Sequence, residues 1–191
     1  MPVTELDTRT ALVTIDFQNM LRGLPLIHPL EDVVGNAARL GTAFRERGLP
    51  VVNVRVSFSP DFGDAVKPRA DRPMDLSHMA PGWDQHLEEL GAQPTDVLVT
   101  KHQFGAFYGT DLDVQLRRRG VTGIVLAGSA TGIGVESTAR AAFEYGYKIT
   151  IASDAVTDVN PATHANALEN IFPLFAEIDT TDAIIAMLAS A

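Results

Sequence analysis

The fold is decided by the stretch Gly123-Ile-Val-Leu-Ala-Gly-Ser-Ala-Thr-Gly-Ile-Gly-Val-Glu-Ser-Thr-Ala-Arg140. Its first residues, Gly123 to Leu126, have the apolar and β-branched character of a short buried strand. A turn of small residues follows, and a helix is predicted from about Val135. Because the first amides of a helix lack partners within it, the turn amides would point into a cavity at the helix N-terminus. The stretch therefore indicates a strand, turn and helix unit with a candidate site at its turn.

Apolar runs that suit buried strands alternate along the chain with amphipathic stretches that suit helices. This alternation is typical of a parallel sheet covered by helices on both faces, so we predict a three-layer α/β fold. The predicted strands are Ala11–Ile15, Val51–Val56, Val97–Thr100, Gly123–Leu126 and Ile149–Ala152, with a short sixth near Ala176–Ile178. The predicted helices are Glu31–Arg47, Gly82–Leu90, Asp111–Arg119, Val135–Tyr145, His164–Pro173 and Thr181–Ala189.

The composition limits the class of protein. A chain of 191 residues with 46% hydrophobic residues is long enough for one domain, 1–191, with a full core. Neither a signal-like N-terminus nor an apolar run of about 18 residues occurs, so we expect a cytoplasmic protein with no membrane partner. The chain has no cysteine, which excludes disulfides, thiolate ligands and a thiol nucleophile.

The charge balance argues against nucleic acid as a partner. The net charge is -9, whereas phosphate binding needs clustered Lys and Arg side chains. The one basic cluster, Arg117–Arg119, ends a predicted helix. We interpret it as a solvated last turn that the helix dipole favours.

Polar residues follow three predicted strands, at the edge where parallel sheets bind ligands. Asp16 follows the first strand, Lys101 the third, and the turn 129–134 the fourth. A desolvated carboxyl group can act as a general acid or base, and a nearby lysine can stabilise negative charge. From the residues alone, Asp16 also fits a turn or capping role and Lys101 also fits the surface, so both interpretations stay open.

Two longer motifs resemble the isochorismatase-like hydrolase superfamily. They read Lys101-His-Gln-Phe-Gly-Ala-Phe-Tyr-Gly-Thr-Asp-Leu-Asp-Val-Gln-Leu-Arg-Arg-Arg-Gly120 and Ala130-Thr-Gly-Ile-Gly-Val-Glu-Ser-Thr-Ala-Arg140. The likeness spans nearly the whole chain. It implies a flavodoxin- or Rossmann-like parallel sheet, a small-molecule substrate, and a homodimer or larger homo-oligomer. It also implies catalytic roles for Asp16 and Lys101 and a cis peptide bond between Ser129 and Ala130.

Gly134 falls where the amidases of this superfamily carry their nucleophilic cysteine, and the amides of Ile133 and Gly134 correspond to the oxyanion hole. In this respect the chain resembles a cysteine-less subgroup from enteric bacteria. Glycine cannot form the thioester of the amidase route. Isochorismatases also carry glycine there, and in them an aspartate protonates the vinyl carbon of an enol ether before water attacks. Val56 stands where isochorismatases hold a substrate-binding glutamine, which disfavours isochorismate itself.

The resemblance also bears on metals and pocket residues. Nicotinamidases bind zinc through an Asp and two His after the second strand, whereas this chain has no His there until His78, so we predict no metal and no cofactor. His102 fits either a pocket or an outward orientation, and His164 fits a helix cap better than a catalyst. The candidate pocket residues are Phe17, Gln18, Phe104, Phe107 and Tyr108, with Trp83 as a further aromatic candidate. The proline-rich stretch Ser57–Pro81 is a candidate lid or oligomer arm.

The sequence therefore predicts a small-molecule hydrolase that uses Asp16, Lys101 and water, with enol ethers as the substrate class that fits best. The alternative is a catalytically degenerate binding protein of the same fold. An unshifted pKa of Asp16 would favour that alternative. A hydroxyl nucleophile, Ser129 or Thr131, is a third and less favoured interpretation because both hydroxyls suit turn amides.

Overall fold

The sheet of this protein has six parallel strands. The computed structural model describes residues 2–73 and 78–190. The strand order is β3-β2-β1-β4-β5-β6, which is the Rossmann order and confirms the predicted α/β class. The strands are Thr10–Ile15 (β1), Val51–Val56 (β2), Val97–Lys101 (β3), Gly123–Ser129 (β4), Lys148–Thr157 (β5) and Glu177–Asp179 (β6).

Helices cover both faces of this sheet. The helices are Leu30–Glu46 (α1), Leu112–Arg118 (α2), Glu136–Glu144 (α3), Pro161–Asn166 (α4) and Thr181–Ser190 (α5). Alternate residues of β1 enter two separate cores, Val13 with α2 and α3 and Leu12 with α1 and α5, as the two-residue period of a strand requires. The predicted three layers are therefore present. Within the described residues, no helix combines the length and the hydropathy needed to cross a membrane.

Two helix predictions are corrected by the structure. Only Glu88–Leu90 of the predicted helix Gly82–Leu90 forms a 3-10 turn. The rest of that segment pairs with the chain after β1, for example through the Leu87 amide, which donates to Phe17 O at 3.0 Å. These long-range bonds replace the local bonds of a helix. The predicted helix His164–Pro173 instead begins earlier, at Pro161.

The segment predicted as a long loop, Ser57–Pro81, contains turns and extended chain over residues 57–73 and 78–81, with neither helix nor strand in those ranges. Residues 74–77 of that prediction lie outside the described residues. The start of helix α4 has a clear local cause, because Asn160 Oδ1 accepts the Ala162 amide at 2.9 Å and Pro161 occupies the first turn.

The carboxyl ends of β1 and β4 lie side by side, at the point where the strand order changes direction. Parallel sheets bind ligands in the crevice that forms at such a point. Gly128 in β4 has a φ of 141°, and a Cβ atom there would lie 2.2 Å from Ile15 O. Glycine at position 128 therefore allows the two strand ends to approach this closely.

Candidate active site

Asp16 and Lys101 form a buried ion pair at the carboxyl end of the sheet. Because β2 lies between β1 and β3, the Lys101 side chain spans the end of β2 to reach Asp16. Lys101 Nζ lies 2.8 Å from Asp16 Oδ2 and donates to Gln103 O at 3.0 Å. The side chains of Lys101 and Asp16 are 2% and 8% exposed. The surface interpretation of Lys101 is therefore wrong.

The carboxyl group of Asp16 is only partly satisfied. Oδ2 binds Lys101, whereas Oδ1 is buried and has no hydrogen-bond partner in the described part of the chain. Burial raises the pKa of Asp16, and the charge and hydrogen bond of Lys101, with a smaller effect of the nearby Val56 amide, lower it by less, so the pKa lies above the ordinary value of 3.8. Asp16 also has a φ of 55°, a left-handed conformation that turns the chain sharply after β1. A buried carboxyl group with a raised pKa can deliver or accept a proton near neutral pH.

The turn after β4 faces Asp16. The peptide bond between Ser129 and Ala130 is cis. Residues Thr131–Val135 form a widened helical turn that continues into α3. The amide of Ile133 donates to Ala130 O at 3.1 Å, so it is already hydrogen-bonded. Of the predicted oxyanion pair, Ile133 and Gly134, the Ile133 amide therefore already has an acceptor within the widened turn, and the oxyanion hole stays a prediction.

Gly134 lies against the Asp16 carboxyl group. A Cβ atom placed on Gly134 would lie 3.3 Å from Asp16 Oδ2, 3.3 Å from Ser129 O and 3.2 Å from Ile15 Cγ2. These contacts are tight for a side-chain carbon, so glycine is the residue that fits here without displacing a neighbour. Asp16 Oδ2 and Ser129 O are the oxygens nearest to this position.

Three predicted pocket residues are placed in the protein interior. The Phe17 ring is fully buried in the core beneath α1, and Phe107 is 4% exposed and packs on Tyr145 and Tyr147. The Gln18 amide group is fully buried as well, where Nε2 donates to Val56 O at 2.8 Å and Oε1 accepts the Val56 amide at 2.9 Å. Packing and backbone bonds therefore engage all three side chains in this structure, and their role as pocket residues stays a prediction.

The remaining candidates lie around the loop after β3. Phe104 and Tyr108 are 54% and 82% exposed. His102 turns towards the loop after β2, with Nδ1 2.6 Å from Ser57 O and 3.5 Å from Asp64 Oδ2. The Phe58 ring lies between those of Trp83 and His102, at 6.2 and 6.1 Å between centroids. Phe58 is thus an aromatic residue near the strand ends that the sequence reasoning did not single out.

Asp158 is a second residue that the sequence reasoning missed. It is buried, its Oδ2 accepts the Gly132 amide at 2.9 Å, and its Oδ1 accepts the amides of Val159 and Asn160. It therefore fixes the turn after β4 to the chain that precedes α4. An aspartate two residues before an Asn-Pro pair is a known turn signal and could have indicated this role.

Thr131 and His164 complete the support of this turn. Thr131 Oγ1 is fully buried, donates to Thr157 O at 3.0 Å and lies 2.9 Å from His164 Nδ1. The Thr131 hydroxyl is therefore occupied, which argues against a nucleophilic role. His164 lies inside α4 and contacts the turn, so its predicted capping role is replaced by a contact with Thr131.

Potential metal ligands are dispersed. In residues 2–73 and 78–190, no three His, Asp or Glu side chains lie together in an arrangement that could hold a metal ion. Asp154 has a structural role instead, since it accepts the Thr181 amide at 2.8 Å and the Thr181 hydroxyl at 2.7 Å and so fixes the start of α5.

Comparison with known proteins gives consistent results across sequence and structure. A family model described as the isochorismatase domain matches residues 10–183. The isochorismatase family protein YecD of Escherichia coli O157:H7 is 43% identical over 182 residues, which cover 94% of this chain and 96% of YecD. The ureidoacrylate amidohydrolase RutB of Stutzerimonas stutzeri (strain A1501) is 29% identical over 215 residues, with 100% and 87% covered.

A solved structure shows the same likeness. An isochorismatase family protein from Burkholderia thailandensis superposes with a TM-score of 0.94 at 47% identity, over 98% of this chain and 99% of that one. The family model also extends from the first residue of β1 into α5, and so includes both Asp16 and Lys101. This protein therefore belongs to the isochorismatase family of hydrolases.

Proposed function

We propose that this protein is a small-molecule hydrolase in which water is the nucleophile and Asp16 transfers the protons. The observation that carries the proposal is the buried Asp16 carboxyl group, held by Lys101 through one oxygen and unpartnered at the other, beside a glycine at position 134. The family's amidases would place a thiol at this position, and this chain has no cysteine. The route through a thioester is therefore closed to it.

The two oxygens of Asp16 have different roles in this proposal. Oδ2 receives the Lys101 ammonium group, so a proton on the carboxyl group belongs on Oδ1, away from that cation. Oδ1 has no partner among the described residues, so we assign it to the reacting substrate atom, which must displace the packing that now buries Oδ1. The raised pKa of Asp16 increases the fraction of molecules that carry this proton. Asp16 is therefore suited to act first as an acid.

We place the attacking water on the side of the Asp16 carboxyl group that faces Gly134. The Cβ position of residue 134 is itself too close to the glycine main chain and to Ile15 Cγ2 to hold a water, so the water must arrive with the substrate. Once Asp16 has given up its proton, its carboxylate accepts a hydrogen of that water and orients it for attack. Hydrolysis then needs no covalent intermediate.

Enol ethers fit this arrangement best. Asp16 Oδ1 gives its proton to the vinyl carbon, and the ether carbon becomes an oxocarbenium centre. Water adds to that carbon and returns a proton to the Asp16 carboxylate. The resulting hemiketal then separates into a carbonyl compound and an alcohol. One water is consumed and Asp16 ends protonated, ready for the next cycle.

Lys101 stabilises the carboxylate that forms once Asp16 has given up its proton. A substrate that develops an oxyanion has fewer donors than the family pattern provides, since the Ile133 amide is bonded to Ala130 O. The amide of Gly134 is then the remaining candidate donor of the predicted pair. This asymmetry supports enol ethers over amides as substrates.

The raised pKa of Asp16 favours the hydrolase over a binding protein that has lost its chemistry, since binding alone has no need of a proton-active carboxyl group. The substrate named for RutB, a ureido compound, makes ureido and carbamoyl compounds necessary members of any test. The homodimer or larger assembly remains a prediction that sedimentation velocity can check.

The test is a turnover assay of the wild-type protein beside Asp16→Asn and Asp96→Asn. The panel contains enol ethers including isochorismate, ureido and carbamoyl compounds, simple amides, esters and lactams. Asp96 is a matched control because it is also a buried aspartate in an ion pair, but it lies at the opposite end of the sheet. We expect turnover of an enol ether that Asp16→Asn lowers about 10²- to 10⁴-fold and Asp96→Asn leaves unchanged.

Hydrolysis in ¹⁸O-labelled water adds a direct readout. The label should enter the carbonyl product, because water adds to the former ether carbon. Full turnover by Asp16→Asn on the identified substrate would refute the proposed mechanism. No turnover of any panel compound by a folded wild-type protein would favour the binding protein instead.

A further inference from the structure

A cavity lies at the amino end of the sheet, the end opposite to Asp16 and Lys101. Its volume is about 590 Å³, within the range of small-molecule sites. Its walls come from the chain before β1, the turn between α1 and β2, the chain before β3, and the turn between α2 and β4. We name it the amino-end cavity, and the lining residues used below are Arg9, Arg45, Leu49, Asp96, Arg119 and Val121.

The one carboxylate among these lining residues, Asp96, is already paired with a cation of the same protein. Asp96 forms two bonds with Arg45, from Nε at 2.9 Å and from Nη2 at 2.7 Å. It also accepts the Asn53 side-chain amide at 3.0 Å and the Gln93 backbone amide at 2.9 Å. Asp96 therefore has no need of a further cation, and its charge cancels that of Arg45.

The two other arginines of the amino-end cavity have no carboxylate partner among the described residues. The Arg9 guanidinium group forms no hydrogen bond or ion pair with any residue that the structure describes. Arg119 uses only Nη1, which donates to Gln115 O and to Gln115 Oε1. This wall thus carries an excess of positive charge in a chain whose net charge is -9.

Gly120 brings these two arginines to the same rim. A Cβ atom on Gly120 would lie 2.5 Å from Arg9 Nη1, so the Arg9 guanidinium group occupies the place of a side chain at 120, directly after Arg119. Both arginines line the same cavity, and the planar guanidinium group of each has the donor geometry that suits a phosphate or a carboxylate. Leu49 and Val121 add an apolar wall beside them.

We propose that the amino-end cavity binds a small organic oxyanion, a molecule with a phosphate group and an apolar part. Arg9 and Arg119 bind the oxyanion, and the apolar wall contacts the organic part. This site and the candidate active site lie at opposite ends of β1. The ligand is therefore not the substrate of the reaction proposed above.

The test uses phenyl phosphate as the probe, with inorganic phosphate and benzyl alcohol as probes of the charge and of the apolar part alone. Binding is measured by titration calorimetry at constant ionic strength. We expect phenyl phosphate to bind saturably and more tightly than either partial probe. Arg9→Gln and Arg119→Gln should each raise its Kd about tenfold or more, because each removes charge-assisted hydrogen bonds.

Arg118→Gln is the matched control, since Arg118 is the neighbouring exposed arginine and does not line the cavity. It should leave the Kd unchanged, and so should Asp16→Asn. Absence of saturable binding to the wild-type protein would overturn the proposal. So would an equal loss in Arg118→Gln, which would indicate an unspecific charge effect, or a loss in Asp16→Asn, which would place the probe in the active site.

Discussion

Two buried ion pairs occupy opposite ends of the same sheet, and they are built differently. Asp96 at the amino end is bound through both oxygens, by Arg45, Asn53 and the Gln93 amide. Asp16 at the carboxyl end is bound by Lys101 through one oxygen, and its other oxygen has no partner in the described chain.

The pKa values of the two aspartates follow this difference. Burial raises the pKa of Asp96, but its hydrogen bonds from Arg45, Gln93 and Asn53 outweigh that effect and hold the pKa below the ordinary value. At Asp16 burial dominates and the pKa is raised. A carboxylate whose two oxygens are both hydrogen-bonded contributes to the stability of the fold. A carboxyl group with one unpartnered oxygen can still exchange a proton with a substrate. Both aspartates are buried beside a cation, so these two properties do not distinguish the proposed catalytic group from the structural one. The number of carboxyl lone pairs without a hydrogen bond does distinguish Asp16 from Asp96.

The sharpest test of the comparison removes the cation from each pair. Lys101→Met leaves Asp16 buried without a counter-charge, so we expect a loss of about 3 to 5 kcal/mol in the free energy of unfolding at pH 8. The loss should shrink at pH 5, because a protonated Asp16 needs no partner. Urea unfolding at both pH values measures it. Arg45→Met is the control and should cost less, since Asp96 keeps its Asn53 and Gln93 donors. Equal losses for both variants would contradict the comparison.

Gly134→Ala tests the space beside Asp16. The added methyl carbon would lie 3.3 Å from Asp16 Oδ2 and 3.2 Å from Ile15 Cγ2, so it would crowd the carboxyl group that the proposed water must reach. We expect turnover to fall about 10²-fold, while the free energy of unfolding changes by no more than about 1 to 3 kcal/mol. Steady-state kinetics and urea unfolding measure the two effects. Gly35→Ala is the control, because Gly35 lies in α1 with nothing within 4 Å of its added carbon, and it should gain about 0.5 to 1 kcal/mol. Unchanged turnover in Gly134→Ala would exclude the water site.

Asp96→Asn tests the structural half of the comparison. The substitution keeps the shape but removes the charge that Arg45 binds, so the free energy of unfolding should fall by about 1 to 3 kcal/mol. Turnover on the identified substrate should not change, because Asp96 lies at the other end of the sheet. A turnover loss that matches that of Asp16→Asn would show that the two ends are coupled.

The smallest expected effect is the pH dependence of the two aspartates' titration and of the stability that is linked to it. Carbon-13 NMR titration of the carboxyl groups should give Asp16 a pKa above 3.8 and Asp96 a pKa below it. The two groups then contribute to stability with opposite signs. The stability from Asp96 is present above its unfolded pKa and is lost as pH falls through its folded pKa. The contribution of Asp16 is present below its unfolded pKa and is lost as pH rises through its folded pKa. Two titrations on the same side of 3.8 would contradict the comparison.

The strands of the sheet were predicted well because the apolar character of a strand is a property of its own residues. Each of the six predicted strands is present, since a run such as Ile124–Ala127 is apolar on both faces. The pairing of Asp16 with Lys101 was also within reach, because polar residues that follow parallel strands meet at one edge. Their full burial was not, since it depends on loops that pack over that edge.

The errors have non-local causes. The left-handed turn at Asp16 changes the direction of the chain, so the two-residue alternation of β1 gives no guide to Phe17, which enters the core. The segment around Leu87 reads as helical, but its amides bind the chain after β1. The widened turn at Thr131–Val135, which engages the Ile133 amide, has no residue signature that separates it from an ordinary first turn.

Gly128 bears on how such a site changes over evolutionary time. Its main chain touches the carbonyl group of Ile15, the residue before Asp16, with no side chain between them. The spacing of β1 and β4 is thus a contact of backbone on backbone, and substitutions elsewhere in the core cannot widen it by small steps. In the proposed enzyme, we expect the loops after β2 and β3, which no such backbone contact constrains, to accept substitutions that alter which molecules enter. We therefore expect substrate choice to be adjustable by substitutions in loops. The distance between Asp16 and the turn after β4 should instead be either kept or lost as a whole.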